Sequence, residues 1–199
     1  MPTQTFEEYL KAVSPLLRML GKKPPLEEEV EMARTILAEA PRGQAPIVAA
    51  RYFEAVTHVN KDGDPYTGEW PVRANPVIVH LFVATTTLPA GDTTPWCAAF
   101  LNYCLQLSGK TGTKSASSGT FRCAGLEATR PSVGDVAVFG RHTDTAKCAG
   151  RGHVAFFISD LGAHVRVLGG NQSDRVKQSD YQRDGNPRFL TVRDVRTIS

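Results

Sequence analysis

A chain of 199 residues, 41% of them hydrophobic and 22% charged, is long enough to bury a core and suits one domain or one domain with a smaller appendage. Its 23 basic and 20 acidic side chains leave a formal charge of +3, a weak pointer to an anionic partner. The basic residues are scattered, without the stripe or aromatic interleaving of a nucleic-acid binder, so no nucleic-acid partner is expected. No run of about 18 apolar residues is present, which excludes a helical membrane span. The opening residues, Met1-Pro2-Thr3-Gln4-Thr5-Phe6-Glu7-Glu8, lack the basic-then-apolar profile of a secretory signal. Synthesis in the cytoplasm is expected, with any export by another route.

The first sixty residues read as helical. Phe6, Tyr9, Leu10, Val13, Leu16, Leu17 and Leu20 form an apolar stripe closed by Gly21. After Pro24-Pro25 a second helix runs from Leu26 to Ala40, with acidic residues in its first turn, where the helix dipole favours them. A third covers Ala45 to Val56. None carries a catalytic pattern, so residues 1–74 are assigned to packing or docking.

The segment from His58 to Glu69 places Asn60, Asp62, Asp64 and Glu69 near the spacing of a calcium loop aligned on Gly63. His58 stands where that loop wants an aspartate, and Pro65 interrupts the register. An Asp-Gly turn followed by a loop accounts for the same residues, and no metal or cofactor is assigned.

Asn75-Pro76 starts a further helix through Val83 that contains His80. A short Leu88-Pro89-Ala90-Gly91 connection leads to Asp92-Thr93-Thr94-Pro95-Trp96-Cys97-Ala98-Ala99-Phe100. Here Thr93 or Thr94 serves as N-cap and Pro95 fits the first helical position. The helix is expected to run to Leu107 or Ser108 and stop at Gly109. Cys97 then lies in the first turn, beside unpaired N–H groups that favour a thiolate. The loop from Lys110 to Gly119 and the one from Gly140 to Gly152 are placed on the walls of a cleft.

From Pro131 the hydrophobic period shortens. The runs 134–139, 153–158 and 164–168 read as strands, with Asp160-Leu161-Gly162-Ala163 as a hairpin turn and a last strand over 188–195. Helices followed by a β-meander imply an α+β domain with an antiparallel sheet. If the hairpin centres between Leu161 and Gly162, His153 falls opposite Gly170, within one residue of Asn171. A carboxamide there can fix the tautomer and rotation of the imidazole, completing a Cys97, His153, Asn171 set. His142 is a competing base, but it lies in a long loop; His164 lies at the far end of the hairpin.

Four blocks in order, Pro95-Trp96-Cys97-Ala98-Ala99-Phe100, Gly134-Asp135-Val136-Ala137-Val138-Phe139, Gly152-His153-Val154-Ala155-Phe156 and Gly169-Gly170-Asn171-Gln172-Ser173, resemble the CHAP-type and NlpC-like amidohydrolases of the papain-like cysteine peptidase superfamily. The resemblance covers about 75–195 and implies a papain-like domain over 75–199, with the nucleophile helix packed on an antiparallel sheet. It implies cysteine-dependent hydrolysis of a peptide-stem or muramoyl amide in bacterial peptidoglycan, with Cys97 as nucleophile, His153 as base and Asn171 as orienting residue. Some CHAP members carry a Glu two residues before that Asn; Gly169 stands there instead. Without a secretory signal the chain also looks like secretion-system amidase effectors or phage lysins, which act in the periplasm or at the wall after delivery. Such proteins meet an immunity protein or a secretion carrier. Two other readings use the same residues: a cysteine protease or deamidase acting on a protein, and a non-catalytic wall-binding module. Of the four cysteines, Cys104 is assigned to the core. Cys123 and Cys148 flank the strand that begins at Gly134 and are candidates for a disulfide in an oxidising envelope.

Overall fold

The structure, a computed structural model, describes residues 6–19, 21–141 and 147–199. Five α-helices precede a five-stranded antiparallel sheet, the α+β order expected from the sequence. The helices are α1 (Phe6–Met19), α2 (Glu27–Glu39), α3 (Pro46–Ala55), α4 (Pro76–Leu81) and α5 (Cys97–Leu107). Each starts where its chemistry allows. Glu29 reaches back from α2 to accept the Leu26 N–H at 2.8 Å, and proline opens α3 and α4. Asn75 caps α4 by accepting from the Val77 N–H at 2.9 Å.

The segment between α3 and α4 is pinned by buried charge. Arg73 donates through Nε to Glu29 at 2.9 Å and also meets Asp62, which fastens the segment to α2. Asp92, fully buried, accepts from the N–H groups of Trp70 at 2.8 Å and Asn75 at 3.0 Å and lies 3.2 Å from the Lys22 ammonium. The residues that mimic a calcium loop are committed to protein partners. Asn60 Oδ1 accepts from the N–H groups of Asp62 and Asp64, Asp62 pairs with Arg73, and Glu69 accepts from the Trp96 indole at 3.0 Å.

The sheet runs β4-β3-β2-β1-β5, with β1 (Val136–Gly140), β2 (Gly152–Asp160), β3 (His164–Gly169), β4 (Lys177–Gln182) and β5 (Arg188–Arg193). The β2–β3 hairpin turns one residue later than the sequence placed it, centred between Gly162 and Ala163, with Asp160 paired to Val165. β4 was not expected, and β5 returns past the meander to pair with β1 at the other edge. One face of the sheet (Val136, Val138, Val154, Phe156, Leu168) joins the main core with α5 and with Tyr9, Val13 and Ile36 of the first helices. The opposite face (Ala137, Phe139, Ala155, Phe157, Val165, Val167, Val192) forms a second cluster capped by Tyr181 and Phe189 from the two edge strands. Those edges lean together: the Phe189 N–H donates to the Arg183 carbonyl at 2.9 Å, and the Arg183 guanidinium lies 4.7 Å over the Phe189 ring.

α5 is the central helix, with every residue but Gln106 buried. It comes against the end of β3 at Gly170, where an added Cβ would lie 2.4 Å from the Trp96 ring and 2.7 Å from Phe100 Cβ. Gly169 is equally confined, since its Cβ would meet the Ala155 Cβ at 2.6 Å. Gly170 has no side chain because the Trp96 ring and Phe100 occupy the space it would need. Gly170→Ala should therefore lower stability by about 1–3 kcal/mol through overpacking. Thermal unfolding with an unchanged midpoint would contradict this close approach.

Candidate active site

Cys97 is the first residue of α5, which begins two residues later than the sequence suggested. Trp96, with φ −118° and ψ 9°, is the N-cap and offers no side-chain bond. Thr94 does not cap a helix opening at Pro95. Its hydroxyl instead accepts from the Ala90 N–H at 3.1 Å, in a turn before the helix. The first helical bond runs from the Phe100 N–H to the Trp96 carbonyl at 2.9 Å. The N–H groups of Cys97, Ala98 and Ala99 are thereby left without helical partners at the end where the dipole is positive.

The thiol uses that position only in part. Burial raises its pKa, while hydrogen bonds from the backbone of Val154, Ala98 and Cys97 itself pull the value down. Burial dominates, so the resting group is a thiol and not the thiolate that the helix start alone suggested. The Val154 contact places the sulfur against β2 beside His153. The thiol also lies close enough to raise the pKa of Tyr181, which burial in the first place and Cys97 in the second bring to about 12.

His153 pairs with Phe139 across β1–β2 and is 6% exposed. Its ring stacks on Tyr181, with centroids 5.1 Å apart and planes 19° apart, and lies 6.2 Å from Phe139. Burial drives its pKa down to about 4, opposed by the hydrogen bond to Gln172. The imidazole is therefore neutral at pH 7.

The side chain that meets it is Gln172, whose Oε1 lies 3.2 Å from His153 Nε2. Asn171, the residue expected in this place, makes no side-chain hydrogen bond among the described residues and has a left-handed φ of 57°. Beside the turn the β2–β3 pairing is two residues from that expected, and a register shift between Phe157 and Ser159 takes one of them back, so that Phe156 meets Leu168. Continued without a break, this register would set Asn171 opposite His153. The strand ends first, at Gly169, and the chain turns through positive φ at Asn171, Ser173 and Asp174.

That turn is braced by bonds from Gln172 N–H to the Arg175 carbonyl, from Glu69 N–H to Asp174 and from Val176 N–H to Thr67. It carries Gln172, 1% exposed, under the imidazole. Gln172 Nε2 donates to the Lys177 carbonyl, which fixes its carboxamide with oxygen toward the ring. Nε2 of His153 must then carry the proton, leaving Nδ1 as the free base.

Cys97 borders an open cleft of about 380 Å³, within the range that holds a substrate segment. Its walls are Ala116, Ser117 and Ser118 on one side and Arg141, Gly150, Arg151 and Gly152 on the other, drawn from the two loops the sequence placed there. His142 lies outside the described residues. The walls are joined by a disulfide between Cys123, at the end of the 3-10 helix Ser118–Cys123, and Cys148, with Cα atoms 5.3 Å apart. Ser117 Oγ donates to the Gly150 carbonyl at 3.2 Å, and a Cβ at Gly119 would lie 2.3 Å from the Ala149 backbone. Cys104 is free and fully buried, as expected. No group of three or more candidate metal ligands occurs among the described residues, and none of their helices is long and apolar enough to cross a membrane.

The buried imidazole ties stability to pH. Between pH 6.5 and about 4 the unfolded chain binds a proton that the folded chain refuses, so stability falls as pH drops through that window, by up to roughly 3 kcal/mol. His153→Phe keeps a ring against Tyr181 and removes the titration. Its melting temperature should fall less between pH 7 and pH 4 than that of the parent protein; parallel profiles would refute the assignment.

The family model described as CHAP domain matches residues 89–171. That span contains Cys97 and His153 and ends at Asn171, one residue short of Gln172. No curated protein and no solved structure gave a significant match. The order of the helix-start cysteine, the strand histidine and the α+β core agrees with the matched family. Over residues 89–171 the chain is similar to the CHAP domain, a family of amide-cleaving hydrolases.

Proposed function

We propose that the protein is a cysteine-dependent amidase that cleaves a peptide-stem or muramoyl amide of bacterial peptidoglycan. The observation that carries this reading is the pairing of a helix-start thiol on an open cleft with a buried imidazole whose protonation is dictated by Gln172. In the resting arrangement the thiol bonds to backbone amides and the imidazole to Gln172. Such distances commonly shorten only when substrate binds. On binding, Nδ1 of His153 takes the thiol proton as sulfur attacks the carbonyl carbon. The orphan N–H groups at the start of α5 face the developing oxyanion. The imidazolium returns its proton to the departing nitrogen, and water, activated by the same base, releases the acyl group from sulfur.

Because both groups rest neutral, proton transfer accompanies attack and does not precede it. Gln172 takes the orienting role expected of Asn171, acting through the tautomer and never touching substrate. The Cys123–Cys148 bond across the cleft walls supports action in an oxidising compartment such as the bacterial envelope. A chain delivered there would act on the wall of another cell or of a lysing host.

Mass spectrometry of muropeptides released from purified sacculi tests the reading. The parent protein should release fragments and Cys97→Ala none; equal release by both would refute it. Gln172→Leu should lower kcat by about 10²-fold with little change in KM, since tautomer control acts in the transition state. Gln172→Glu, which keeps an acceptor, should recover part of the loss. Asn171→Gly should retain activity, because glycine suits the left-handed backbone there. The opposite ranking would return the orienting role to Asn171.

A further inference from the structure

The family match begins at residue 89, yet a segment ahead of it, residues 67–69, touches both halves of the site. It forms a short antiparallel ladder with the turn that presents Gln172. The Glu69 N–H donates to the Asp174 carbonyl at 2.9 Å, the Val176 N–H donates to the Thr67 carbonyl at 2.8 Å, and Gly68 pairs with Arg175. The fit is close, since a Cβ at Gly68 would lie 3.0 Å from Arg175 Cγ and 3.1 Å from the Asp174 carbonyl oxygen. Behind the ladder the buried Asn75 carboxamide donates to the Tyr66 and Gly68 carbonyls at 2.9 and 2.8 Å. The Glu69 side chain reaches α5 instead, where it accepts the Trp96 indole N–H at 3.0 Å. Burial raises the Glu69 pKa, and the indole bond is the strongest of the contacts that oppose the rise, ahead of Lys22. A hydrogen bond to a carboxylate is roughly twice as strong as one between neutral groups.

That bond matters because α5 lacks an ordinary cap. Trp96 offers no side-chain cap, and the Thr94 hydroxyl is engaged with the Ala90 N–H. What fixes the start of the helix is the indole, wedged against Gly170 at one edge and tied to Glu69 at its nitrogen. We propose that Glu69 is a positioning residue: through the Trp96 indole its carboxylate sets where α5 begins and how the Cys97 thiol is aimed, while its N–H holds the turn that carries Gln172 under His153. One residue thereby ties the nucleophile to the group that orients the base. The inference rests on the hydrolase reading for the reaction it serves, and on geometry alone for its effect on the thiol. Loss of the acceptor leaves a buried indole N–H unpaired, which favours any shift of the ring that regains a partner. The ring belongs to the residue next to Cys97, and a displacement of about 1 Å at a reacting group can cost about 10²-fold in rate. The segment is in turn fastened to α2 through Arg73 and Glu29, so the helices ahead of the family match serve the site by holding this strut.

The test compares the full-length parent protein with Glu69→Leu and Glu69→Gln at a temperature well below unfolding. Soluble muropeptides give kcat and KM. Iodoacetamide with peptide mass mapping gives the alkylation rate of Cys97, with the core thiol Cys104 as an internal gauge of unfolding. Glu69→Leu should lower kcat by about 10- to 10²-fold with KM nearly constant. It should also speed alkylation of Cys97 while Cys104 stays unlabelled, which a loss of folded protein would not do. Glu69→Gln keeps an acceptor and should restore most of both values. Should Glu69→Leu not fold, Trp96→Phe, which removes the donor and keeps a ring at Gly170, carries the same two expectations. Parent-like kcat and labelling in Glu69→Leu, labelling of Cys104 in step with Cys97, or a Glu69→Gln protein as impaired as Glu69→Leu overturns the role. If the parent protein cleaves no muropeptide, the hydrolase reading alone falls, and the labelling comparison still decides the positioning.

Discussion

The first residue of α5 reaches the imidazole strand only because the backbone at Gly170 can lie against Trp96 and Phe100 with nothing between them. Side chains in a packed interior normally hold a helix and a sheet about 10 Å apart. Here Gly170 removes that spacing at one point, just past the end of β3. The consequence is a sulfur lodged against the backbone of β2 at Val154. Two buried polar anchors keep the helix from drifting: Glu69 holds the Trp96 indole, and Asp92 gathers the N–H groups of Trp70 and Asn75. Breaking either would leave a buried donor or acceptor unpaired, which costs more than the bond itself contributes.

The electrostatics of the site follow from the same closeness. A helix start exposed to water would stabilise a thiolate, but at Cys97 desolvation outweighs three backbone donors. His153 suffers the same penalty in the opposite direction, being enclosed by Tyr181, Phe139 and the sheet. Two neutral partners cost the folded protein far less than a buried ion pair would. In the proposed reaction the charge separation arises only in company with substrate, where amide N–H groups at the start of α5 would receive the negative charge.

Much of this was legible in the chain, and the exceptions have physical causes. Long-period stripes gave α1 through α4, and short alternating runs gave β1, β2, β3 and β5. β4 escaped notice because Lys177-Gln178-Ser179-Asp180-Tyr181-Gln182 has one large apolar residue, enough for an edge strand that half-buries Lys177, Ser179 and Tyr181. The places of Cys97 at a helix start and His153 near a strand start could be read from their local surroundings. Their companion could not be fixed to the residue, because the β2–β3 bulge and the left-handed turn both act after strand pairing is set. Gln172 was visible only as the neighbour of a more familiar asparagine.

The two outer strands have a bearing on behaviour in crowded solution. An open sheet of five strands ordinarily presents two rows of unpaired amides, each a template on which another chain can add a strand. In this protein the rim formed by β4 and the rim formed by β5 bend toward each other, bridged by the Arg183 carbonyl and roofed by its guanidinium. A stranger's backbone must displace that bridge to dock. The same curl that encloses the imidazole thus shields the molecule from sticking to its own kind.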